Sequence, residues 1–212
     1  MALLAGTLDG VYRSVDGRFE DAELVLDAGS TLRVTSVDGN DCYAATRTGL
    51  YRSRDGGRSW TDLGVPEEQV DSVAVDTEED RLYAGTYPAG VYVSTDDGET
   101  WSELEGFREL PSRDTWGTPR HGNRAHVRSL ETHPDAPERL IAGVEVGGVH
   151  VSDDGGQTWK ERRDGIVARG DGLQYDVHHI AVSGLGEWFV SCGGGLYRTE
   201  DAGETWVRLA EH

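Results

Sequence analysis

The sequence predicts an all-β fold, a β-propeller of five four-stranded repeat units, and three observations carry this prediction. One motif occurs five times, as GVYRSVDGRF from residue 10, GLYRSRDGGRSW from 49, GVYVSTDDGETW from 90, GGVHVSDDGGQTW from 147 and GGLYRTEDAGETW from 194. An apolar segment such as LYAGT precedes each copy. In copies two to five, an alternating stretch such as VDSVAVD precedes that segment. Repetition at about 40 residues with strand-like patterning is typical of propeller blades.

Each repeat unit holds four predicted strands. From the propeller axis outward they are the alternating stretch, the apolar segment, the start of the motif and the short segment after its tryptophan, here called strands A, B, C and D. The sequence begins at strand B, so the first unit lacks its innermost strand A. Either that blade has three strands, or the chain is a piece of a larger ring, or a partner supplies the missing strand, because an open blade edge invites pairing, with a second copy of the chain in a homo-oligomer included. The single propeller domain, 1–212, is divided into units at approximately 1–30, 31–66, 67–124, 125–175 and 176–212.

The acidic residues of the motif are predicted to be turn residues. In S/T-x-D-x-G-x-T/S-W the carboxylate lies where strand C reverses into strand D, so it can accept hydrogen bonds from nearby backbone N–H groups. The glycine relieves an unusual backbone angle, and the tryptophan can bury its ring. Repetition in every blade favours a turn over a catalytic or calcium-binding role. These carboxylates belong to Asp55, Asp96, Asp154 and Asp201.

The motif resembles the Asp-box, also called the BNR repeat, and the resemblance covers nearly the whole chain. It is carried by Ser53 to Trp60, Ser94 to Trp101, Ser152 to Trp159 and Thr199 to Trp206. The chain looks most like the photosystem II stability/assembly factor-like proteins and the sialidase-superfamily propellers. The resemblance implies the propeller fold and leaves the function open, because families with this repeat do different things. A sialidase would carry an Arg-Ile-Pro segment near its N-terminus, and this sequence has none.

The composition limits the partners and the compartment. Asp and Glu number 39 against 20 Lys and Arg, for a net charge of -19, so neither nucleic acid nor a membrane surface is an expected partner. A surface this acidic is typical of a halophilic protein, because salt screens its self-repulsion. The N-terminal residues lack the basic region of a signal peptide, which favours a cytoplasmic location. Cys42 and Cys192 are expected to be free buried thiols, and no motif indicates a metal or another cofactor.

Two segments interrupt the repeat, and both predict a ligand site. The first, GFRELPSRDTWGTPRHGNRAHVR from residue 106, is rich in arginine and histidine, His126 included, although the chain is acidic. The second is GIVARGDGLQYD at 165–176. Alignment of the A strands adds a column of polar residues at one mouth of the central channel, on the face opposite the motif turns, and its members are Arg33, Asp71, Arg128 and His178. The predicted ligand-binding residues are Arg33, Asp71, Arg113, Trp116, Arg120, His121, Arg124, Arg128, Tyr175 and His178.

Two hypotheses about function follow from this site. The first is a non-catalytic binding or assembly propeller that presents its arginines to an anionic ligand, an acidic protein partner or a carbohydrate, since arginine pairs with carboxylates. The second is a carbohydrate-active, glycosidase-like enzyme that uses the same face. A structural alternative remains open, in which neighbouring carboxylates of the chain neutralise the arginines and hold the long loop in place.

Overall fold

The structure, a computed structural model, describes residues 2–117, 122, 124–133, 135–167 and 175–210. Nearly all regular structure in these residues is β. The helical exceptions are α1 (Glu105–Arg108) and two 3-10 turns at Phe19–Asp21 and Arg113–Thr115. The strands are β1 (Leu3–Gly6), β2 (Val11–Ser14), β3 (Glu23–Leu26), β4 (Thr31–Ser36), β5 (Cys42–Thr46), β6 (Gly49–Ser53), β7 (Thr61–Asp62), β8 (Gln69–Asp76), β9 (Arg81–Tyr87), β10 (Val91–Ser94), β11 (Ser102–Glu103), β12 (Val127–His133), β13 (Ala136–Val144), β14 (Gly148–Ser152), β15 (Lys160–Glu161), β16 (Val177–Val182), β17 (Trp188–Cys192), β18 (Gly195–Thr199) and β19 (Val207–Ala210).

These strands form five antiparallel sheets in which neighbours in the sequence are neighbours in space. Sheet 1 is β1-β2-β3, sheet 2 is β4 to β7, sheet 3 is β8 to β11, sheet 4 is β12 to β15 and sheet 5 is β16 to β19. Consecutive sheets stack on one another, with β4, β8, β12 and β16 as the A strands. The predicted fold class is therefore confirmed, including the first unit that lacks its innermost strand. Among the described residues, no helix has the length and apolar character needed to cross a membrane.

The apolar core is divided among the spaces between sheets. One buried cluster joins sheets 2 and 3, a second joins sheets 3 and 4, and a third joins sheets 4 and 5. Close packing needs small residues at the contact. A Cβ at Gly85 of sheet 3 would come within 2.6 Å of the Val127 side chain in sheet 4. Cys42 and Cys192 are free, buried thiols, as expected.

The motif forms the hairpin turn between the C and D strands of sheets 2 to 5, here called the repeat turn. In sheet 3, the Asp96 carboxylate accepts hydrogen bonds from the Ser94 hydroxyl at 2.8 Å and from the Thr100 N–H at 2.9 Å and hydroxyl at 2.5 Å. These bonds, led by the one from the Thr100 hydroxyl, lower the pKa of Asp96. The Gly98 N–H donates to Ser94 Oγ, and Gly98 has a φ of 89°, which favours glycine. The same bonds recur at Asp55, Asp154 and Asp201.

The tryptophan that follows the repeat turn ties two of the turns to the preceding unit. Trp101 Nε1 donates to the Leu63 carbonyl oxygen at 2.9 Å, and Trp206 Nε1 donates to the Arg162 carbonyl oxygen at 3.0 Å. Leu63 follows the last strand of sheet 2, and Arg162 follows the last strand of sheet 4. The repeat turn therefore stabilises both its own hairpin and the contact between two sheets.

Replacement of a repeat-turn aspartate should destabilise the protein, and sheet 4 offers a matched pair of variants. Asp154→Ala removes the acceptor of three hydrogen bonds, from the Ser152 hydroxyl and from the N–H and hydroxyl of Thr158. We expect the melting temperature to fall by roughly 3–8 °C. The adjacent control, Asp153→Ala, removes only a surface ion pair with Arg139 and should change it little. Equal shifts for the two variants, measured by circular dichroism, would contradict the structural role of the repeat turn.

Candidate functional site

Each A strand of sheets 2 to 5 has a β-bulge at the same position, and the bulged residues form the polar column. In each A strand, one residue near the start has no partner across the ladder. A bulge leaves its extra residue unpaired and re-aims its side chain. The residues at this position are Leu32, Asp71, Arg128 and His178. The predicted column therefore holds three of its four members, whereas the alignment was wrong by one residue for Arg33.

Arg33 instead occupies the next position of its strand, where its side chain crosses to other sheets. Its Nη2 donates to Nδ1 of His179 in sheet 5 at 2.7 Å, and its Nη1 lies 3.7 Å from Glu131 of sheet 4. Burial raises the pKa of Glu131, and Arg33 opposes that shift. Burial and the nearby Arg33 charge lower the pKa of His179. Since Arg33 belongs to sheet 2, these contacts show that the inner strands of three sheets converge.

A buried polar cluster lies where the bulge column meets the start of β12. His126 Nδ1 is 3.3 Å from the Asp71 carboxylate, and its Nε2 is 3.8 Å from the Glu145 carboxylate. Arg128 Nε donates to Glu145 Oε2 at 2.8 Å. Tyr87 stacks on the His126 ring with 4.1 Å between centroids. Asp71, His126 and Glu145 are all less than 10% exposed, so this cluster is an organised part of the site.

A pocket of about 140 Å³ adjoins this cluster. Arg113 Nη2 donates to the Ala89 carbonyl oxygen at 2.5 Å, while its Nη1 is buried and has no hydrogen-bond partner among the described residues. Trp116 forms a wall, with the Arg113 guanidinium 6.0 Å from its ring. The pocket is lined by Pro88, Ala89, Arg113, Trp116, Arg124 and Ala125.

The long basic segment is held in place by aromatic packing. Phe107 of α1 is fully buried and contacts the rings of Trp116 at 5.6 Å and Trp159 at 5.1 Å between centroids. The His150 ring lies 4.9 Å from that of Trp116. Aromatic contacts at these distances add to the stabilisation from burial. The wall of the pocket is therefore part of the core between sheets 3 and 4.

The arginines of this segment differ in their partners. Arg108 forms ion pairs with three glutamates, and Arg128 pairs with Glu145, as the structural alternative requires. Within the described part of the chain, no carboxylate lies within ion-pair distance of Arg113 or Arg124. The pocket therefore carries positive charge that the described residues do not neutralise.

The remaining predicted residues lie elsewhere or outside the description. Tyr175 packs under the Arg163 guanidinium, 4.6 Å from its ring centroid, and half-exposed His178 lies 3.3 Å from Asp176. Neither lines the pocket. Arg120 and His121 lie outside the described residues.

Sequence reasoning missed Glu145 and Tyr87, and it noted His126 only as part of the basic segment. Glu145 belongs to the B–C connection of sheet 4, and Tyr87 is the last residue of strand B in sheet 3. A signal was present in the sequence, because Glu145 in VEVGG directly follows strand B, and Asp9 is the one other acid between strands B and C in any copy. In the described ranges, no group of His, Cys, Asp and Glu side chains is arranged to hold a metal ion.

A larger open cleft of about 790 Å³ lies on the repeat-turn face between sheets 2 and 3. Its arginines are already neutralised. Arg52 pairs with Asp41 and Asp97, and Arg54 pairs with Asp97 as well. The smaller pocket is therefore the better candidate for binding an anion, although the cleft has more room.

Comparisons with known proteins agree with this architecture. The family model Sortilin-Vps10, described as sortilin, neurotensin receptor 3, matches residues 48–168, more than half of the chain. The oligoxyloglucan-reducing end-specific xyloglucanase of Emericella nidulans is 28% identical over 159 residues, which cover 65% of this chain and 19% of that enzyme. Xyloglucanase Xgh74A of Acetivibrio thermocellus is 27% identical over 151 residues, 63% of this chain and 16% of that enzyme. The chain thus spans less than a fifth of the length of these curated relatives.

Two solved structures share the fold. The GH74 xyloglucanase from Xanthomonas campestris has a TM-score of 0.69 and 19% identity, over 97% of this chain and 36% of that one. YCF48 bound to D1 peptide has a TM-score of 0.57 and 17% identity, over 92% of this chain and 60% of that one. At these identities the likeness concerns the fold alone.

Acid should weaken the core behind the pocket through His150. Burial lowers the pKa of this fully buried histidine from 6.5 to about 4. Between pH 6.5 and pH 4, His150 therefore binds a proton in the unfolded chain and stays neutral in the folded protein. Stability that is complete above pH 6.5 is lost as the pH falls towards 4, by about 3 kcal/mol.

Urea denaturation at pH 7 and pH 4.5 measures this loss. His150→Leu should lower stability at pH 7, because it removes the hydrogen bond to the Gly147 carbonyl oxygen, yet lose less on acidification than the unmodified chain. His178→Leu, at a half-exposed position, is the control and should keep the full acid dependence. The same acid dependence in the unmodified chain and in His150→Leu would contradict this assignment.

Proposed function

The chain belongs to the Sortilin-Vps10 family, and we propose that it is a binding propeller whose pocket beside the channel mouth holds a carboxylate group of an acidic partner. One observation carries the proposal. Arg113 lines a pocket with Trp116 and Arg124, and its buried Nη1 has no hydrogen-bond partner among the described residues. A buried donor without a partner costs free energy, and a ligand acceptor would remove that cost.

The chemistry of the pocket selects a carboxylate. A guanidinium group presents donors in a planar fork that fits two carboxylate oxygens, and hydrogen bonds between charged groups are the stronger kind. A volume of 140 Å³ corresponds to about five water molecules, roughly the size of an aspartate or glutamate side chain. The pocket therefore suits one acidic group of a larger partner, such as an acidic protein segment.

One of the solved structures that share this fold is that of YCF48 bound to D1 peptide. This supports peptide binding as a role that the fold can perform.

The acidic surface sets a condition for such binding. With a net charge of -19, the chain repels an acidic partner at long range, so attraction must come from the local guanidinium groups. Salt that screens the long-range repulsion should leave the contact inside the pocket less affected.

A second candidate function is carbohydrate cleavage at the neighbouring polar cluster. The curated relatives named above are xyloglucanases, and Asp71 and Glu145 lie on opposite sides of His126. Glycoside hydrolysis requires two carboxyl groups about 5–9.5 Å apart, one of which donates a proton. Here Glu145 accepts a hydrogen bond from the Arg128 guanidinium, a partner that suits an ionised carboxylate. Asp71 likewise accepts a hydrogen bond, from Gln69 Nε2 at 3.2 Å. Neither carboxylate is therefore placed as the proton donor, and binding ranks ahead of catalysis.

Removal of the Arg113 guanidinium should weaken binding of a carboxylate probe. The probe is a fluorescein-labelled hexaglutamate peptide, and labelled hexaglutamine is its neutral counterpart. We expect Arg113→Met to raise the Kd for hexaglutamate by tenfold or more in fluorescence anisotropy, because a charge-assisted hydrogen bond is lost. Arg108→Met is the matched control, since Arg108 belongs to the same segment and already pairs with glutamates. Equal binding by the unmodified chain and Arg113→Met would refute the proposed site.

A panel of glycosides tests the second candidate. The unmodified chain should release no reducing sugar from xyloglucan, cellulose or acidic polysaccharides. Turnover that Asp71→Asn and Glu145→Gln each abolish, while Arg113→Met retains it, would reverse the ranking of the two functions. Melting temperatures of the variants show whether loss of turnover reflects loss of the fold.

A further inference from the structure

The negative charge of the chain is concentrated on the repeat-turn face. The A–B and C–D connections lie together on this face, because neighbouring strands run in opposite directions. These connections contain 19 of the 39 acidic residues and 3 of the 20 basic ones, a net charge of -16. The rest of the chain, with 20 acidic and 17 basic residues, has a net charge of -3. An acidic coat that served only for solubility in salt would cover all sides alike, so this distribution indicates a more specific role.

Arginines of neighbouring segments neutralise part of this charge. Five described arginines outside the connections form ion pairs with carboxylates of the repeat-turn face, and an excess of 11 negative charges remains. These arginines are Arg52, Arg81, Arg139, Arg162 and Arg198. The charge is densest at sheet 3, because its A–B and C–D connections hold six acidic residues and no basic one. This part of the face therefore attracts cations most strongly.

A buried carboxylate oxygen without a hydrogen-bond partner lies at the same place. Asp76 ends strand A of sheet 3 and is 5% exposed. Its Oδ1 accepts hydrogen bonds from the Glu78 N–H at 3.0 Å and from the Glu79 N–H at 3.3 Å, and these bonds fix the orientation of the carboxyl group. Its Oδ2 is buried and has no partner among the described residues. A buried polar atom without a partner costs free energy, so this oxygen destabilises the unliganded protein.

Asp76 lines a pocket between sheets 3 and 4. The pocket has a volume of about 200 Å³, which corresponds to about seven water molecules and is enough for an extended lysine side chain. Glu78 adds a second carboxylate to its lining, and Val75 and Pro137 supply apolar walls for the methylene groups of such a side chain. The pocket therefore has the chemistry of a site for a cationic group on an apolar stem.

No positive charge opposes a cation in this pocket. The one basic side chain in its lining is that of His133. His133 Nδ1 accepts a hydrogen bond from the Asp135 N–H at 3.1 Å, and its Nε2 donates to the Gly184 carbonyl oxygen at 3.0 Å. With one ring nitrogen accepting and the other donating, this histidine is neutral. A metal ion is a poorer occupant, since the described part of the chain has no group of three His, Cys, Asp or Glu side chains placed to hold one.

We propose that the repeat-turn face binds a basic protein segment and that the pocket at Asp76 receives one of its lysine side chains. The ammonium group donates to Asp76 Oδ2 and gives this oxygen the partner that it lacks. Lysine fits better than arginine, because the fork of a guanidinium group needs two carboxylate oxygens and Oδ1 is already occupied. The surrounding excess of negative charge attracts the rest of the segment.

This site is separate from the pocket at Arg113. Ala89, which lines the Arg113 pocket, precedes β10, and the repeat turn of sheet 3 follows β10, so the two pockets lie at opposite ends of the strands. The chain can therefore bind partners of opposite charge on its two faces at the same time.

A fluorescein-labelled hexalysine peptide tests the site at physiological ionic strength. Asp76→Asn keeps the acceptor for the two N–H groups and removes the charge of the unpartnered oxygen, so we expect the Kd in fluorescence anisotropy to rise about tenfold or more. Glu78→Gln, at an exposed position of the same pocket, should raise it by roughly threefold. Glu99→Gln is the matched control, because it removes one exposed charge from the same sheet and the same face outside the pocket. Equal effects of Asp76→Asn and Glu99→Gln would overturn the proposal, because attraction by net charge alone would explain them.

The stability of the unliganded variants separates a binding role of Asp76 from a structural one. An oxygen without a partner contributes nothing favourable to folding, so Asp76→Asn should leave the melting temperature unchanged or raise it. A fall of several degrees would overturn the proposal, because it would show that the folded chain itself uses this charge. Calcium binding that Asp76→Asn abolishes, with hexalysine bound equally by both chains, would overturn it as well and would indicate a metal site.

Discussion

The hydrogen-bonded carboxylate of the repeat turn is the interaction on which the rest of the architecture depends. In four sheets it accepts a bond from the hydroxyl two residues earlier and two bonds from the residue four positions later. These bonds fix the turn and with it the register of strands C and D. A slip by one residue would turn every side chain of a strand to the opposite face. Since the internal sheets bury both faces, their stacking depends on that register.

The sequence predicted the sheets well because their determinants are local and repeated. Turn residues, strand alternation and the spacing of the motif recur in each unit, so each copy supports the interpretation of the others. The two free thiols and the three-stranded first sheet followed from the same comparison of copies. The short helix at Glu105–Arg108 and the partners of individual arginines lie in a segment without a repeat, where no second copy guides the interpretation.

The candidate site was predicted in part, and its errors have physical causes. Arg33 was misplaced by one residue because the bulge adds a residue that the alternating pattern does not reveal. Glu145 and Tyr87 were missed because a connection of sheet 4 and the end of a strand of sheet 3, which are distant in the sequence, meet only in the fold. The sequence could not show which arginines are paired, because ion pairs depend on tertiary contacts. Arg108 lies within ion-pair distance of three glutamates, whereas no described carboxylate lies within that distance of Arg113.

The position of the pocket between sheets 3 and 4 affects how it withstands local opening of the protein. In a stack of repeats, each unit is stabilised mainly by its nearest neighbours. Sheets 3 and 4 each have buried apolar clusters on both sides. Separation of either sheet would therefore break two apolar contacts at once, and backbone amides beside the pocket should exchange their hydrogens with solvent slowly. The binding geometry around Trp116 and Arg113 can thus persist through local fluctuations of the exposed loops.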